Sequence, residues 1–150
     1  MNGGRTHKSK KIFFSSHKLK QPTMKKSIPF DEYFKTHDTA FLAEDAVFIN
    51  MTSGDQTKGR KAIGEMLYYL YHIAFDARAD VKHTIVTEQN AVLEANFTGK
   101  HIADFAGIPA TGNQVSVPMC ITYDLNNDGL IQEARIYMLA DVLIQQLKSK

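Results

Sequence analysis

Cysteine is almost missing from this 150-residue chain, which holds one, Cys120. A single thiol excludes an internal disulfide and fits a reducing compartment, read here as the cytoplasm. Cys120 lies in an apolar, strand-like run, which favours an inert buried thiol over a nucleophile. No apolar run nears the ~18 residues that a bilayer-spanning helix needs. A secretory signal needs an apolar stretch of roughly 7–15 residues, and the N-terminal segment offers only Ile12-Phe13-Phe14. No Cys/His cluster has zinc spacing, no glycine-rich loop precedes a basic helix, and no Gly-x-Ser-x-Gly elbow occurs. Neither a metal nor a cofactor is therefore expected. Repeats and low-complexity segments are missing too, and one domain is the natural reading of this length.

Acidic residues are absent from positions 1–30, which carry eight basic ones. The remaining 120 residues hold ten basic and sixteen acidic residues, so the net +2 of the whole chain conceals a body of −6. An acidic body argues against nucleic acid as a partner, because phosphate neutralisation needs clustered Lys and Arg. Residues 1–27 are read as a basic, disordered tail, or as an extension ahead of a second start at Met24. Residues 28–150 are read as the folded domain, with no membrane partner expected.

Apolar periodicity then sets the elements. Phe30 to Ala43 reads as helix, interrupted around Thr36-His37-Asp38, and Val47-Phe48-Ile49 as a short strand. Between Arg60 and about Asp76 the residues Ile63, Met66, Leu67, Leu70, Tyr71 and Ala74 recur at helical spacing, giving an apolar stripe that must be covered. Four strands follow. Val81, His83 and Ile85 alternate with polar residues, as do Leu93, Ala95 and Phe97. Val115–Tyr123 and Leu130–Met138 complete the set, and a short helix closes the chain near Val142–Leu147. Helices first and antiparallel strands afterwards describe an α+β domain, with helices against one sheet face.

The connection Gly107-Ile108-Pro109-Ala110-Thr111-Gly112 is rich in turn formers. Gly112 tolerates positive φ and Pro109 presets its own, so the loop reads as a rigid lip carrying Phe105 and Ile108 over an apolar space. Asp124-Leu125-Asn126-Asn127-Asp128-Gly129 mimics the start of a calcium loop, but its twelfth position is Arg135 rather than a bidentate Glu. A hairpin turn on Asp128-Gly129 explains these residues better.

Several pieces in order resemble the SnoaL-like polyketide cyclases, or ester cyclases, of the nuclear transport factor 2-like superfamily. They are Gly99-Lys100-His101, Asp104 to Gly112, Asp128 to Glu133, Arg135-Ile136-Tyr137 and Leu143 to Leu147. The resemblance spans roughly residues 37–148. It implies a cone of curved antiparallel sheet wrapped around helices, a hydrophobic pocket inside, and a homodimer. It also implies ring closure by an aldol step, in which a proton next to a carbonyl is removed and the enolate stabilised without metal or cofactor. The family's proton-transferring acid falls at Ile136, its pocket histidine at Thr122 and a second acid at Leu139. None of the three ionises, so the catalytic residues do not carry over.

Other groups are then the candidates. His101 shares its alternation with Leu93, Ala95 and Phe97, and His83 with Val81 and Ile85, so both can point inward. Either serves as a general base or as a hydrogen-bonded structural histidine. Asp104, three residues beyond His101, would complete an oriented pair, and His101 and Asp104 are the expected catalytic residues. His83, Phe105, Ile108, Thr122, Ile136 and Met138 are the expected ligand contacts. Tyr68, Tyr69 and Tyr71 read as pocket hydroxyls or as core and interface aromatics. If Ile136 faces the pocket, Arg135 and Tyr137 face out, and with Met119, Ile121 and Tyr123 they would make an apolar outer face for a homodimer. Two functions stay open. One is a domain that binds a small apolar or polyketide-like molecule and moves a proton on it. The other is a non-catalytic module for binding or dimerisation.

Overall fold

A computed structural model describes residues 29–150; the basic segment 1–27 lies outside the described residues. Apolar side chains at Phe30, Tyr33 and Phe34 (spacing i, i+3, i+4) give the first helix, α1 (Phe30–Thr36), one buried face. It ends where His37 turns left-handed at φ 51°, its N–H donating to the Tyr33 carbonyl at 2.7 Å. The Asp38 carboxylate then accepts the Ala40 N–H at 2.9 Å and starts a 3₁₀ turn, Thr39–Phe41. The chain leaves that turn directly into β1 (Leu42–Asn50), so the expected helix stops two residues short of Ala43. A short β2 (Gln56–Lys58) pairs back on β1.

The second helix, α2 (Arg60–Tyr68), buries Ile63 and Leu67 and widens into a π-helical turn, Tyr69–Ala74, that buries Tyr71 and Ala74. The expected helix to Asp76 therefore ends at Ala74. Phe75 and Asp76 are taken by the sheet instead, paired with His101 and Lys100, because ladder pairing outweighs local periodicity. Then come β3 (Phe75–Val86), β4 (Asn90–His101), β5 (Gln114–Leu125), β6 (Ile131–Met138) and α3 (Ala140–Lys148). The six-stranded sheet has the order β2-β1-β6-β5-β4-β3. All pairs are antiparallel except β1–β6, which is parallel and departs from the expected run of antiparallel strands.

One face of this curved sheet carries the core. Ala91, Leu93, Ala95 and Phe97 of β4 and Val115, Val117, Met119, Ile121 and Tyr123 of β5 are buried on it. The register sets Ile121 opposite Ile136 and Met119 opposite Met138, so β6 turns Ile136 and Met138 to the same side. Between sheet and helices the α1 aromatics close on Tyr123, with ring centroids 5.5 Å (Phe30), 6.2 Å (Tyr33) and 6.1 Å (Phe34) away. The result is an α+β cone whose centre is filled by α1. Among the described residues no helix is long and apolar enough to cross a membrane.

Candidate functional site

The His101–Asp104 pair expected from the sequence does not form. His101 ends β4 pointing inward, fully buried, with its ring 5.0 Å from that of Phe75. Its Nδ1 accepts the Thr111 N–H at 3.1 Å and lies 2.9 Å from Thr111 Oγ1. An acceptor at Nδ1 places the proton on Nε2, which has no partner among the described residues. Asp104 is exposed, and its backbone carbonyl takes the Tyr69 hydroxyl. Thr111, not a carboxylate, orients this histidine.

The lip expected over an apolar space closes on the core instead. Phe105 and Ile108 exchange backbone hydrogen bonds at 3.0 and 2.8 Å around Ala106 and Gly107, both at positive φ (51° and 77°). Gly112, at φ 73°, donates its N–H to the His101 carbonyl at 2.9 Å. Half-buried Phe105 rests on Phe75, centroids 5.2 Å apart, and Ile108 is half-buried beside it.

Other expected contacts scatter. His83 is exposed: a register shift after Val81 sets it opposite Glu94 on the outer face, and Val81 to Val86 is exposed on both faces. Thr122 lies on the outer face opposite Arg135, its hydroxyl buried without a partner among the described residues. Ile136 and Met138 do face the interior, where Ile136 meets Ile121 and offers no proton. The apolar outer face is also corrected: Met119, Ile121 and Tyr123 belong to the core. The outer face carries Cys120, Thr122, Asp124, Glu133, Arg135 and Tyr137 instead. There Arg135 forks onto Asp124 at 3.0 and 2.9 Å and touches Glu133. Those bonds hold the Asp124 carboxyl below its usual range. The Asp124–Gly129 segment is the hairpin turn, with Asn126 Oδ1 accepting the Asp128 and Leu130 amides at 2.9 and 3.0 Å.

An open space lies elsewhere. Between α1, the π-turn and β3 is a cleft of about 440 Å³. Its apolar wall comes from Phe34, Tyr71, Ala77, Ala79 and Val81, and its polar groups from Asp31, Lys35, His37 and His72. That size falls in the range of ~300–1,000 Å³ typical of small-molecule sites. A groove of about 450 Å³ beside Glu44, Lys58 and Arg60 is as large but has no aromatic wall. Behind the first cleft a smaller one, about 310 Å³, shares His37 and His72 and adds Leu67 and Tyr68.

His37 stands between the two. Its ring is 4.3 Å from that of Tyr71 and 5.6 Å from that of Tyr33. Burial, and secondarily the nearby His72, push its pKa down to about 4, so the imidazole is neutral near pH 7. Burial also pushes the Tyr71, Tyr33 and Tyr123 hydroxyls well above the usual tyrosine range and keeps them as hydrogen-bond donors. Of the three tyrosines weighed on the second helix, Tyr71 is buried at the cleft wall while Tyr68 and Tyr69 are exposed. Sequence reasoning missed His37 and His72. The available signal was the break at Thr36-His37-Asp38, since a left-handed residue capping an aromatic helix turns back over that helix's buried face. Among the described residues, no group of three or more His, Cys, Asp or Glu could hold a metal ion.

The family model described as SnoaL-like polyketide cyclase matches residues 33–147. Among solved structures, a candidate SnoaL-like polyketide cyclase from Jannaschia sp. CCS1 aligns with a TM-score of 0.70 at 19% identity, over 81% of this chain and 90% of that one. TsrD from Streptomyces laurentii aligns at 0.67 and 19% identity, over 81% and 90%. A protein with a ketosteroid isomerase-like fold from Catenulispora acidiphila, in complex with trimethylamine, aligns at 0.57 and 18%, over 72% and 78%. At these identities the likeness shows the shared nuclear transport factor 2-like cone. No curated protein matches the chain in sequence.

Proposed function

Because the chain belongs to the SnoaL-like polyketide cyclase family, we propose that it binds a small apolar or polyketide-like molecule in the cleft between α1 and β3. The observation that carries this reading is the cleft itself, aromatic-walled and with the neutral His37 imidazole tilted against Tyr71. Such a site takes an apolar body by area and orients it through few polar groups. Burying about 150 Å² of ligand apolar surface contributes roughly 4 kcal/mol before the costs of immobilisation.

Binding without catalysis is the form best supported. Ile136, at the position of the family's acid, faces the interior without an ionisable group. Proton transfer remains the second reading, and His37 is the residue that favours it. At pH 7 the His37 imidazole is in its proton-accepting form, but with a pKa near 4 rather than 6.5 it is a weaker base than an ordinary histidine by roughly 3 kcal/mol, unless a bound ligand raises that value. Methyl 2-naphthoate titrated by calorimetry tests the binding site. Binding is expected to be lost in Ala79→Phe, which fills the cleft from β3, with an unchanged circular dichroism spectrum. Equal affinity in both proteins would place the ligand elsewhere.

A further inference from the structure

The sheet ends on a long strand whose outer side is open. In the order β2-β1-β6-β5-β4-β3, β3 is an edge strand of 12 residues and pairs with β4 alone. Among the described residues, no backbone group outside β4 hydrogen-bonds to Asp76–Val86. Exposed apolar side chains gather on β3 and the π-turn leading into it. Ile73, Val81, Ile85 and Val86 are 46, 43, 64 and 45% exposed. Unpaired amides beside apolar side chains form a template for a further strand.

The charges on this edge select which strand. Asp76, Arg78 and Asp80 share the outer face with their β4 partners Lys100, Thr98 and Asn96, and Lys82 is the extra residue of the bulge that follows Val81. Along β3 the four charges therefore run negative, positive, negative, positive. Arg78 Nε lies 4.0 Å from Asp80 Oδ1, and the two side chains are 69% and 48% exposed, so each stays open to a better partner. An antiparallel copy of the same strand, centred on Ala79, sets Asp76 against Lys82 and Arg78 against Asp80, each twice by symmetry. Centring on Arg78 or on Asp80 instead sets that residue against itself, and a parallel copy in register does so for every charge. The pattern accepts one pairing with its own sequence and repels the neighbouring ones.

From this self-complementarity we infer that β3 pairs with β3 of a second copy, antiparallel about Ala79, and joins two six-stranded sheets into one. The bulge ends regular pairing in each copy, so the ladder runs from Asp76 to Lys82. Opposite residues of antiparallel strands share a face. Ala77, Ala79 and Val81, which wall the cleft, then meet Val81, Ala79 and Ala77 of the second copy, and the two clefts adjoin. The pairing itself does not depend on what the cleft binds. So short a ladder buries less than the ~1,200 Å² of standard interfaces, and a dissociation constant of roughly 10–100 μM is expected.

Sedimentation velocity of the full chain at about 500 μM and low salt should give twice the chain mass, falling towards one chain as salt is raised. Arg78→Asp should weaken the dimer about tenfold or more, because it opposes acids at two places. Combining it with Asp80→Arg exchanges the two charges and should restore wild-type association. Circular dichroism of both variants should match wild type, since these side chains are exposed. In a Cys120→Ser background, Ala79→Cys should form a disulfide-linked dimer in air, because Cα atoms facing across the axis lie ~4.5–5.5 Å apart. Val81→Cys should not, being about 13 Å from its own counterpart. A single chain mass at about 500 μM and low salt overturns the inference. So does a dimer that Arg78→Asp leaves as tight as wild type, a double variant that stays monomeric, or linkage through Val81→Cys rather than Ala79→Cys.

Discussion

His37 is one place where this protein responds to acid. With a pKa of about 4 when folded and an ordinary value of 6.5 otherwise, the unfolded chain takes up the proton first as pH falls. Stability is therefore full above about pH 6.5 and declines towards pH 4, by roughly 2–3 kcal/mol between pH 7 and 4.5. Urea unfolding of wild type and His37→Gln at both pH values isolates this contribution. The variant is expected to lose less on acidification, and equal losses would show that His37 titrates normally. His101 makes a different prediction. Thr111→Val strips the hydroxyl from its Nδ1 and should cost about 1–2 kcal/mol, with faster amide exchange at Ile108. The inward turn of His101 was legible, because it continues the alternation of Leu93, Ala95 and Phe97 without interruption. His83 was not, since a bulge leaves no mark in a pattern that alternates on both sides of it. Nor was the Thr111 partnership, which depends on how a ten-residue excursion folds back.

At the scale of elements, the pairing of β3 with β4 rests on Gly99. A Cβ there would fall within 2.5 Å of Ala77 Cα and Cβ, and closer still to the Asp76 carbonyl. The obstruction is backbone, so it cannot swing aside. Gly99→Ala is expected to cost about 2–3 kcal/mol and to separate the strands where β3 begins. Thermal unfolding with a melting point within a degree of wild type would contradict it. The closing helix α3 depends similarly on Asn113, whose amide donates to the carbonyls of Gln146, Leu147 and Ser149 at 3.0, 3.3 and 2.8 Å. The strands of β4 and β5 were readable from their period of two, because each buries one face only. The end of the second helix was not, because Phe75 is as apolar as a helical stripe requires and only its partner His101 makes it a strand residue. The parallel β1–β6 pair was hidden for the same reason: it joins segments more than eighty residues apart.

For the molecule as a whole, the cone is a vessel whose centre is occupied by its own first helix. Phe30, Tyr33 and Phe34 pack against Tyr123 in the core, and a cleft opens at the margin between α1 and β3. The family was legible in its loops, and the lip sequence marked the architecture. Yet the lip seals against Phe75 and does not line the cleft between α1 and β3, so the sequence motif and the candidate site lie apart. The most direct test is chemical-shift mapping of the full chain with methyl 2-naphthoate. Shifts gathered at Phe34, His37, Tyr71 and Ala79 are the predicted result. Shifts centred on His101, Phe105 and Ile108 would contradict it.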